Sequence, residues 1–455
     1  MATDPRQALD ELMKNYRDQS GHLERADRYF RAEPSSVNIG SRVPPALARF
    51  RTAWPAVRVA TNAYADRVSL EDISFSEAED TVSQFRDGLG TALQMAILEA
   101  LATGTGYIRT VVRDNGVSFM ATRGRDGAFW EDPDTGEMIA TMRVHRPARY
   151  KGAVANPSTV TVYTPGRVTT FGRQVKAFGM GDPWAVVEDV TVPSGVLLMR
   201  PLINRARAGE PYGRAEARDL YALQDQGSRT LTDLSIATDA LAVPQRVLIA
   251  TLPESISDLS QVQAYMDSIL ALSGDVKIDQ WQAARLGPFI ESMNGIGRYA
   301  SSVSGIPLSY WGLSSDANAA SGDAIRENDA RLEIRSRQLG AQWTTTVSEQ
   351  ASDVAKLLKV KPGVISVKWA DPATPTPTAA ADAAIKISQI GTINGEIVVD
   401  RDMIWNILRV TPADRQRIRD AEELATINQI LNAPPEQPAP TQGAPNETSG
   451  RAPGT

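Results

Sequence analysis

The chain has 455 residues, 22% of them charged and 42% hydrophobic, an ordinary globular composition whose length suggests roughly three domains at about 150 residues each. Its formal net charge of −6 argues against a protein that coats nucleic acid, though not against a local basic patch. Cysteine is absent and there are two histidines, His22 and His145. Disulfide scaffolds, cysteine–zinc sites, iron–sulfur clusters and cysteine nucleophiles are excluded, and a histidine metal cluster almost so.

The first residues, MATDPRQALDELMKNY, mix acids and bases without an apolar stretch and do not read as a signal peptide. No window approaches 18 continuous apolar residues, so no membrane span is expected. Leu9, Leu12, Met13 and Tyr16 recur at helical spacing and predict a helix over residues 6–30. A second helix is expected over 45–67, with Pro55 as a kink. A third is expected over 76–102, stopped by Gly104 and Gly106.

From Tyr107 to about Arg200 the texture is β. YIRTVVRDNGVSFMAT, GAFWEDPDTGEMIATMRVHR and TVTVYTPGRVTTFGR each read as strand, turn, strand, giving three hairpins and an antiparallel β-rich block. Helix returns over 214–241 on a stripe of Leu220, Leu223, Leu231, Leu234 and Leu241. A mixed segment follows, with strands at PQRVLIA and DVKIDQW and a short helix over 259–272. Another helix is expected over 288–303, then a loop, GIPLSYWGLSSDANAASG.

The longest predicted helix spans 321–359. Ile325, Leu332, Leu339, Trp343, Val347, Ala351, Val354 and Leu358 form a sustained seam, and Pro362-Gly363 ends it. After a Pro/Thr linker at 371–378, short helices are expected at 379–390, 397–408 and 412–431. The tail, residues 432–455, is rich in Pro, Gly, Ala and Thr. It lacks the apolar surface to offset ordering entropy and reads as disordered.

The search for catalytic motifs is mostly negative. There is no phosphate-binding G-x-x-x-x-G-K-[ST] and no G-x-S-x-G elbow. Asp132, Asp134 and Glu137 resemble the start of a calcium loop, but its glycine and terminal glutamate are misplaced, so a hairpin turn is the better reading. The clusters Glu77/Glu79/Asp80 and Asp323/Glu327/Asp329 lie on helices that look solvated, and His22 and His145 look like surface residues. Arg205, Arg207, Arg214 and Arg218 form a modest basic patch, a candidate for phosphate or subunit contacts against the plainer reading of a solvated face.

The order of elements is unusual, and it resembles the portal proteins of tailed bacteriophages, in particular the siphophage-type family of actinobacterial phages. The likeness runs from about residue 40 to 430. It is carried by VATNAYADRVSLEDISF, LEALATGTGYIRTVVRDNG, MRPLINRARAGEPYGRAEARDLYALQDQGSRTLTDLSIATDALAVPQRVL and VSGIPLSYWGLSSDANAASGDAIRENDARLEIRSRQLGAQW, more by their order and spacing than by any one of them. The resemblance implies an α+β portal fold. Residues 1–210 would be a wing, 211–242 and 288–304 two stem helices, and 243–287 a clip. Residues 305–320 would be the channel-loop region, 321–370 the long helix and return to the wing, and 371–431 a small crown. The loop facing DNA would be Gly312, Leu313, Ser314, Ser315, Asp316, Ala317, Asn318, Ala319, Ala320 and Ser321.

The resemblance further implies a homo-oligomeric ring of about twelve copies at one capsid vertex, with double-stranded DNA passing through it. Terminase large subunit, major capsid, scaffolding and head–tail adaptor proteins would be partners. The location would be the virion, and the host cytoplasm during assembly. No cofactor, metal, membrane or enzymatic activity is implied. The alternatives are another virion structural protein, such as a minor capsid or connector component, and a carboxylate–metal nuclease.

Overall fold

The structure is a computed structural model. It describes residues 4–33, 50–77, 79–113, 116–145, 159–173, 184–207, 211–242, 246–249, 270–272, 278–280, 285–312, 322–373 and parts of 382–431. Two compact units emerge, Met1–Ala373 and Thr374–Thr455, rather than the three that length suggests.

Helix α1 (Pro5–Arg31) begins at Asp4, whose side chain accepts a hydrogen bond from the Arg6 N–H, and ends at Ala32 in the left-handed region (φ 49°), with Arg28 and Arg31 in its last turn. Its apolar stripe of Ala8, Leu9 and Leu12 packs on a five-stranded antiparallel meander. The meander runs β4 (Gly127–Glu131), β5 (Met138–His145), β6 (Thr159–Thr164), β7 (Arg167–Arg173) and β8 (Trp184–Thr191), in sequence order. The Asp132–Gly136 segment is a turn: the Asp132 carboxylate accepts the Asp134 N–H (2.9 Å) and Gly136 supplies a left-handed φ of 70°. The Asp132 carboxylate thus serves the turn expected here.

The first predicted hairpin forms as β2 (Thr105–Arg113) and β3 (Gly116–Thr122), but it does not join the meander. Its partner on the other side is β9 (Met199–Ile203), nearly a hundred residues on, giving the order β3-β2-β9. The β-rich block is therefore two sheets. A further pair was not anticipated: β1 (Leu70–Phe75) runs antiparallel to β13 (Ile365–Trp369).

Helix α2 (Ala56–Ala65) is shorter than expected. Pro55 stands at its N-cap and does not kink it, as its fixed φ and missing N–H suit a helix start. Residues before it lie along α4 (Tyr221–Ala242), which follows a short 3-10 turn, Arg218–Leu220. The face of α4 buried here is polar rather than the leucine stripe. The N–H groups of Thr52, Trp54 and Val57 donate to Thr232 Oγ1 (3.1 Å), Ser228 Oγ (2.9 Å) and Gln224 Oε1 (2.8 Å). These acceptors sit at i, i+4 and i+8, one helical face meeting the donors of the segment that leads into α2. Gly227 admits Trp54, since a Cβ there would come within 2.4 Å of the indole. Leu220 and Leu223 are buried, while Leu231 and Leu234 are only partly so.

Helix α3 (Glu79–Thr103) and α5 (Gly287–Ser304) match expectation. Between α4 and α5, β10 (Arg246–Ile249) pairs with β12 (Ile278–Gln280) antiparallel and with β11 (Leu270–Leu272) parallel. Leu270–Leu272 was expected to end a helix; the rest of that helix lies outside the described residues.

The longest helix, α6 (Gly322–Leu357), has 36 residues, on the order of 54 Å at 1.5 Å per residue. Leu332, Leu339, Trp343, Val347, Ala351 and Val354 are all buried in the main core with α2, α3 and α5. From Leu332 to Val354 the expected seam is the observed one; Leu358 is only partly buried, and the Ile325 side chain lies outside the described residues. In the second unit, β14 (Thr392–Ile393) and β15 (Glu396–Ile397) form a small antiparallel pair, where the sequence suggested the start of a helix at 397. Helix α7 (Pro412–Leu431) follows as expected, and Arg419 stacks over Trp405 at 5.4 Å. The tail, 432–455, lies outside the described residues.

Candidate functional site

The basic patch is the candidate site that the structure describes, and its four arginines fall into different environments. The chain leaves β9, loops, and enters α4 close to the end of α3. Gly104 (φ 109°) and Gly213 (φ 70°) make this crossing feasible: a Cβ at Gly104 would meet the Arg214 backbone at 2.9 Å, and one at Gly213 the Asn204 carbonyl at 2.3 Å. Backbone bonds close it, from the N–H groups of Asn204 to Gly104 (2.8 Å), Arg214 to Asn204 (2.9 Å) and Glu216 to Leu101 (2.8 Å).

At this crossing Glu216 is almost wholly buried. Arg205 grips both its oxygens (2.7 and 2.7 Å), Arg335 of α6 also reaches both (3.0 and 2.9 Å), and Asn204 Nδ2 donates a fifth bond (3.1 Å). Burial works to raise the Glu216 carboxyl, but the two guanidiniums overcome it and hold the group at about 2. Tyr64, nearby, is pushed up to about 12 by burial and by the Glu216 charge. A cavity of about 380 Å³ lies over this network, with Tyr64, Arg331 and Arg335 in its wall.

Arg205 is thus committed within the chain, while Arg207 is exposed. Arg214 and Arg218 line a second cavity, against α1. Of the channel-loop residues only Gly312 is described. It caps the 3-10 turn Leu308–Trp311 in the left-handed region (φ 73°). Leu313, Ser314, Ser315, Asp316, Ala317, Asn318, Ala319, Ala320 and Ser321 lie outside the described residues.

Of the two acidic clusters, the side chains of Glu79, Asp80, Asp323 and Glu327 lie outside the described residues. Among the described residues no three His, Asp or Glu side chains are placed to hold a metal ion, and Asp329 pairs with Arg67 at 2.7 Å. His145 is half-buried rather than at the surface. Its Nε2 lies 2.9 Å from Thr161 Oγ1, and burial, with Arg143 and Arg109 nearby, lowers its pKa. Among the described residues no helix is long and apolar enough to cross a membrane.

Sequence reasoning missed the anchors of α6. Asp353, buried, accepts from Arg200 Nη2 (2.6 Å) and from the Leu197 N–H (3.3 Å). Trp343 Nε1 donates to the Ile203 carbonyl (3.0 Å), and Trp369 packs on Gly340 and donates to Thr344 (2.9 Å). The partners are over 100 residues apart in most of these bonds, and no local motif marks them.

No family model matches the chain. It is 28% identical over 480 residues to the portal protein of Mycobacterium phage D29, covering 97% of this chain and 94% of that protein. It is 26% identical over 479 residues to the portal protein of Mycobacterium phage L5, covering 98% and 94%. Among solved structures it is similar to a chain from the neck of native gene transfer agent particle computed with C12 symmetry, at 14% identity and a TM-score of 0.45, covering 89% of this chain and 99% of that one. The two phage matches span nearly the whole chain and bear out the resemblance read in its residues: the chain is similar, over almost its full length, to portal proteins of two phages of mycobacteria.

Proposed function

We propose that this chain is a portal protein that works as a ring of about twelve copies at one capsid vertex, through which double-stranded DNA enters and leaves. The ring would also be the platform for the terminase motor and the head–tail adaptor, and would contact major capsid and scaffolding proteins. The observation that carries this reading is the similarity to two phage portal proteins over almost the full chain. Assembly would take place in the host cytoplasm, and the mature location would be the virion.

In this reading residues 1–210 with α6 are the wing, α4 and α5 the stem, 243–287 the clip, and 371–431 the crown. Residues 312–321 face DNA. That segment has no Lys or Arg, and its one charge is Asp316. Phosphate neutralisation makes binding tight and salt-sensitive, so a conduit gains from a loop that touches DNA without gripping it. The net charge of −6 suits the same task. The protein acts mechanically and not as an enzyme.

Negative-stain imaging of the purified chain tests this. The expected result is a ring whose hole admits duplex DNA; monomers or filaments at micromolar concentration would overturn it. Deleting Ala317–Ala320 should leave the ring intact and lower the DNA packaged or retained per particle, as measured by nucleic-acid content of purified heads.

A further inference from the structure

We infer that the face of the meander turned away from α1 carries a phosphate-binding site for duplex DNA, separate from residues 312–321. Side chains alternate along a strand, so Ala140, Met142 and Val144 of β5 pack toward α1 while Thr141, Arg143 and His145 face the other way. Part of that second face is closed. Thr141 Oγ1 donates to the Met199 carbonyl (3.0 Å), and Tyr163 is buried with Leu198 and Met199. One row further along, Arg143 of β5 stands opposite Thr161 of β6, and Thr161 opposite Thr170 of β7. Here Arg143, His145 and Thr170 are partly exposed.

The groups on this row are linked. His145 Nε2 lies 2.9 Å from Thr161 Oγ1, which lies 3.1 Å from Thr170 Oγ1. Arg109 of β2 stands beside Tyr163 and Met120, near enough for its charge to act on both Arg143 and His145. Arg143 makes no ion pair or hydrogen bond among the described residues. Asp126, whose charge does reach Arg143, is already held by Arg123 (2.7 Å). Glu188 sits on β8 opposite Thr170 and is exposed, but it is three strands from Arg143, about 14 Å at about 4.8 Å per strand. Half-buried guanidiniums that act on each other without a carboxylate are unfavourable by themselves. An anion beside them turns that repulsion into charge-assisted hydrogen bonding.

The charge pattern decides the kind of anion. Between Glu137 and Asp182 the sequence holds seven Lys and Arg residues and no Asp or Glu, in a chain with 54 acids against 48 bases. One protein carboxylate needs one guanidinium. A run of cations without acids matches a polyanion whose charges repeat, as they do about every 1.7 Å along a duplex. Met120 apart, the described groups around Arg143 and His145 are guanidinium, imidazole and hydroxyl. That is not the apolar centre that a protein interface buries, but it is the polar, strongly positive surface that meets DNA. Hydroxyls and guanidiniums are also the groups that bond phosphate oxygens without reading bases. The proposal rests on the portal reading only for where the DNA comes from.

The experiment measures binding of the purified full-length chain to a short labelled duplex by fluorescence anisotropy, over about 50 to 200 mM salt. Wild-type protein should bind, and more weakly as salt rises. Arg143→Gln should lower affinity about threefold to tenfold and flatten the log–log salt slope by about 0.9, the share of one phosphate contact. Its melting temperature should not change, because Arg143 has no partner to lose. Arg143→Lys should keep most of the affinity, since a phosphate needs the charge more than the fork. Arg17→Gln, exposed on α1, should leave the slope as it is. Closed circular duplex, which cannot thread a channel, should compete as well as linear duplex. The proposal is overturned by a wild type that does not bind, by a slope indifferent to Arg143→Gln, or by competition from linear duplex alone, which would place the contact in the channel. Polyglutamate or inorganic phosphate displacing the label as well as duplex does would overturn it too, the former pointing to an acidic protein partner. Imaging the same samples keeps the two readings apart. Rings whose DNA binding ignores Arg143 sink only this proposal, and Arg143-dependent binding without rings counts only against the ring.

Discussion

The two sheets of the first unit are built on opposite principles. In the meander each strand pairs with its neighbour in sequence, β4 through β8 in order, and α1 packs on one face. In the other sheet β2 lies between its hairpin partner β3 and the remote β9, and α6 is anchored to it through Trp343, Arg200–Asp353 and the Gln350–Thr110 bond. Even the Arg–carboxylate pairs differ. Arg167–Asp189, on the last two meander strands, is open to solvent, whereas Arg205–Glu216–Arg335 is closed over by protein. Local pairing makes a sheet that can form by itself; remote pairing makes one whose strands hold only if the distant helix is in place. The first unit's integrity therefore rests on α6 and on the chain crossing at Glu216.

Leu339→Asp breaks the remote region most severely. Leu339 has no exposed surface in the middle of the seam, and an unpaired charge there costs more than about 4–5 kcal/mol. The variant is expected to be insoluble or to lack a cooperative melting transition; Leu332→Asp should behave alike. A soluble variant with a wild-type melt would show that α6 packs by a different face.

Glu216→Gln comes next. Removing one member of a buried ion cluster costs about 3–5 kcal/mol, and here it leaves two guanidiniums facing each other. The unfolding temperature should fall by several degrees, with α6 exchanging its amides faster while β5–β7 remain protected. The pH dependence sharpens this. The folded carboxyl, at about 2, lies below its unfolded value near 4.5. Its contribution, about 3 kcal/mol, is present above pH 4.5 and is lost as pH falls from there toward 2. Wild-type protein should lose stability over that interval, and Glu216→Gln should show a shallower loss. Equal slopes in urea titrations at pH 5 and pH 3 would contradict the assignment.

The same contrast governs what could be read from the sequence. Hairpins with Asp-Asn-Gly or Pro-Gly turns carry their own signals, as does a seam that repeats from Leu332 to Val354, and these stand in the structure nearly where expected. The β1–β13 pair joins residues about 295 apart, through segments too short and too mixed to show a period. The buried face of α4 misled because it is polar: Gln224, Ser228 and Thr232 look like a solvated stripe until Thr52, Trp54 and Val57 supply their donors. The four arginines formed one patch in sequence. Only the glycine crossing, invisible without a fold, separates Arg205, which is consumed by Glu216, from Arg214 and Arg218, which line a cavity.

A smaller effect is expected in the meander. Gly136→Ala places a Cβ at φ 70° in open space, so backbone strain is its whole consequence. That costs about 1 kcal/mol and should appear as a modest drop in melting temperature with unchanged α6 exchange. A loss as large as that of Glu216→Gln would mean the two sheets unfold as one.

Arg167→Ala is expected to change least. Arg167 donates to Asp189 through Nε (2.8 Å) and Nη2, and Thr169 adds a third bond (2.9 Å). Those bonds, Arg167 first and Thr169 next, hold the Asp189 carboxyl at about 2. The depression resembles that at Glu216, but both partners here are solvated, and water screens what burial amplifies. The variant should melt within error of wild type, although NMR titration should show the Asp189 carboxyl rising toward its ordinary range. A carboxyl can thus be equally acidic in the two regions and matter to stability in only one. If Arg167→Ala instead destabilised the meander by as much as Glu216→Gln destabilises the crossing, burial would not be what separates them.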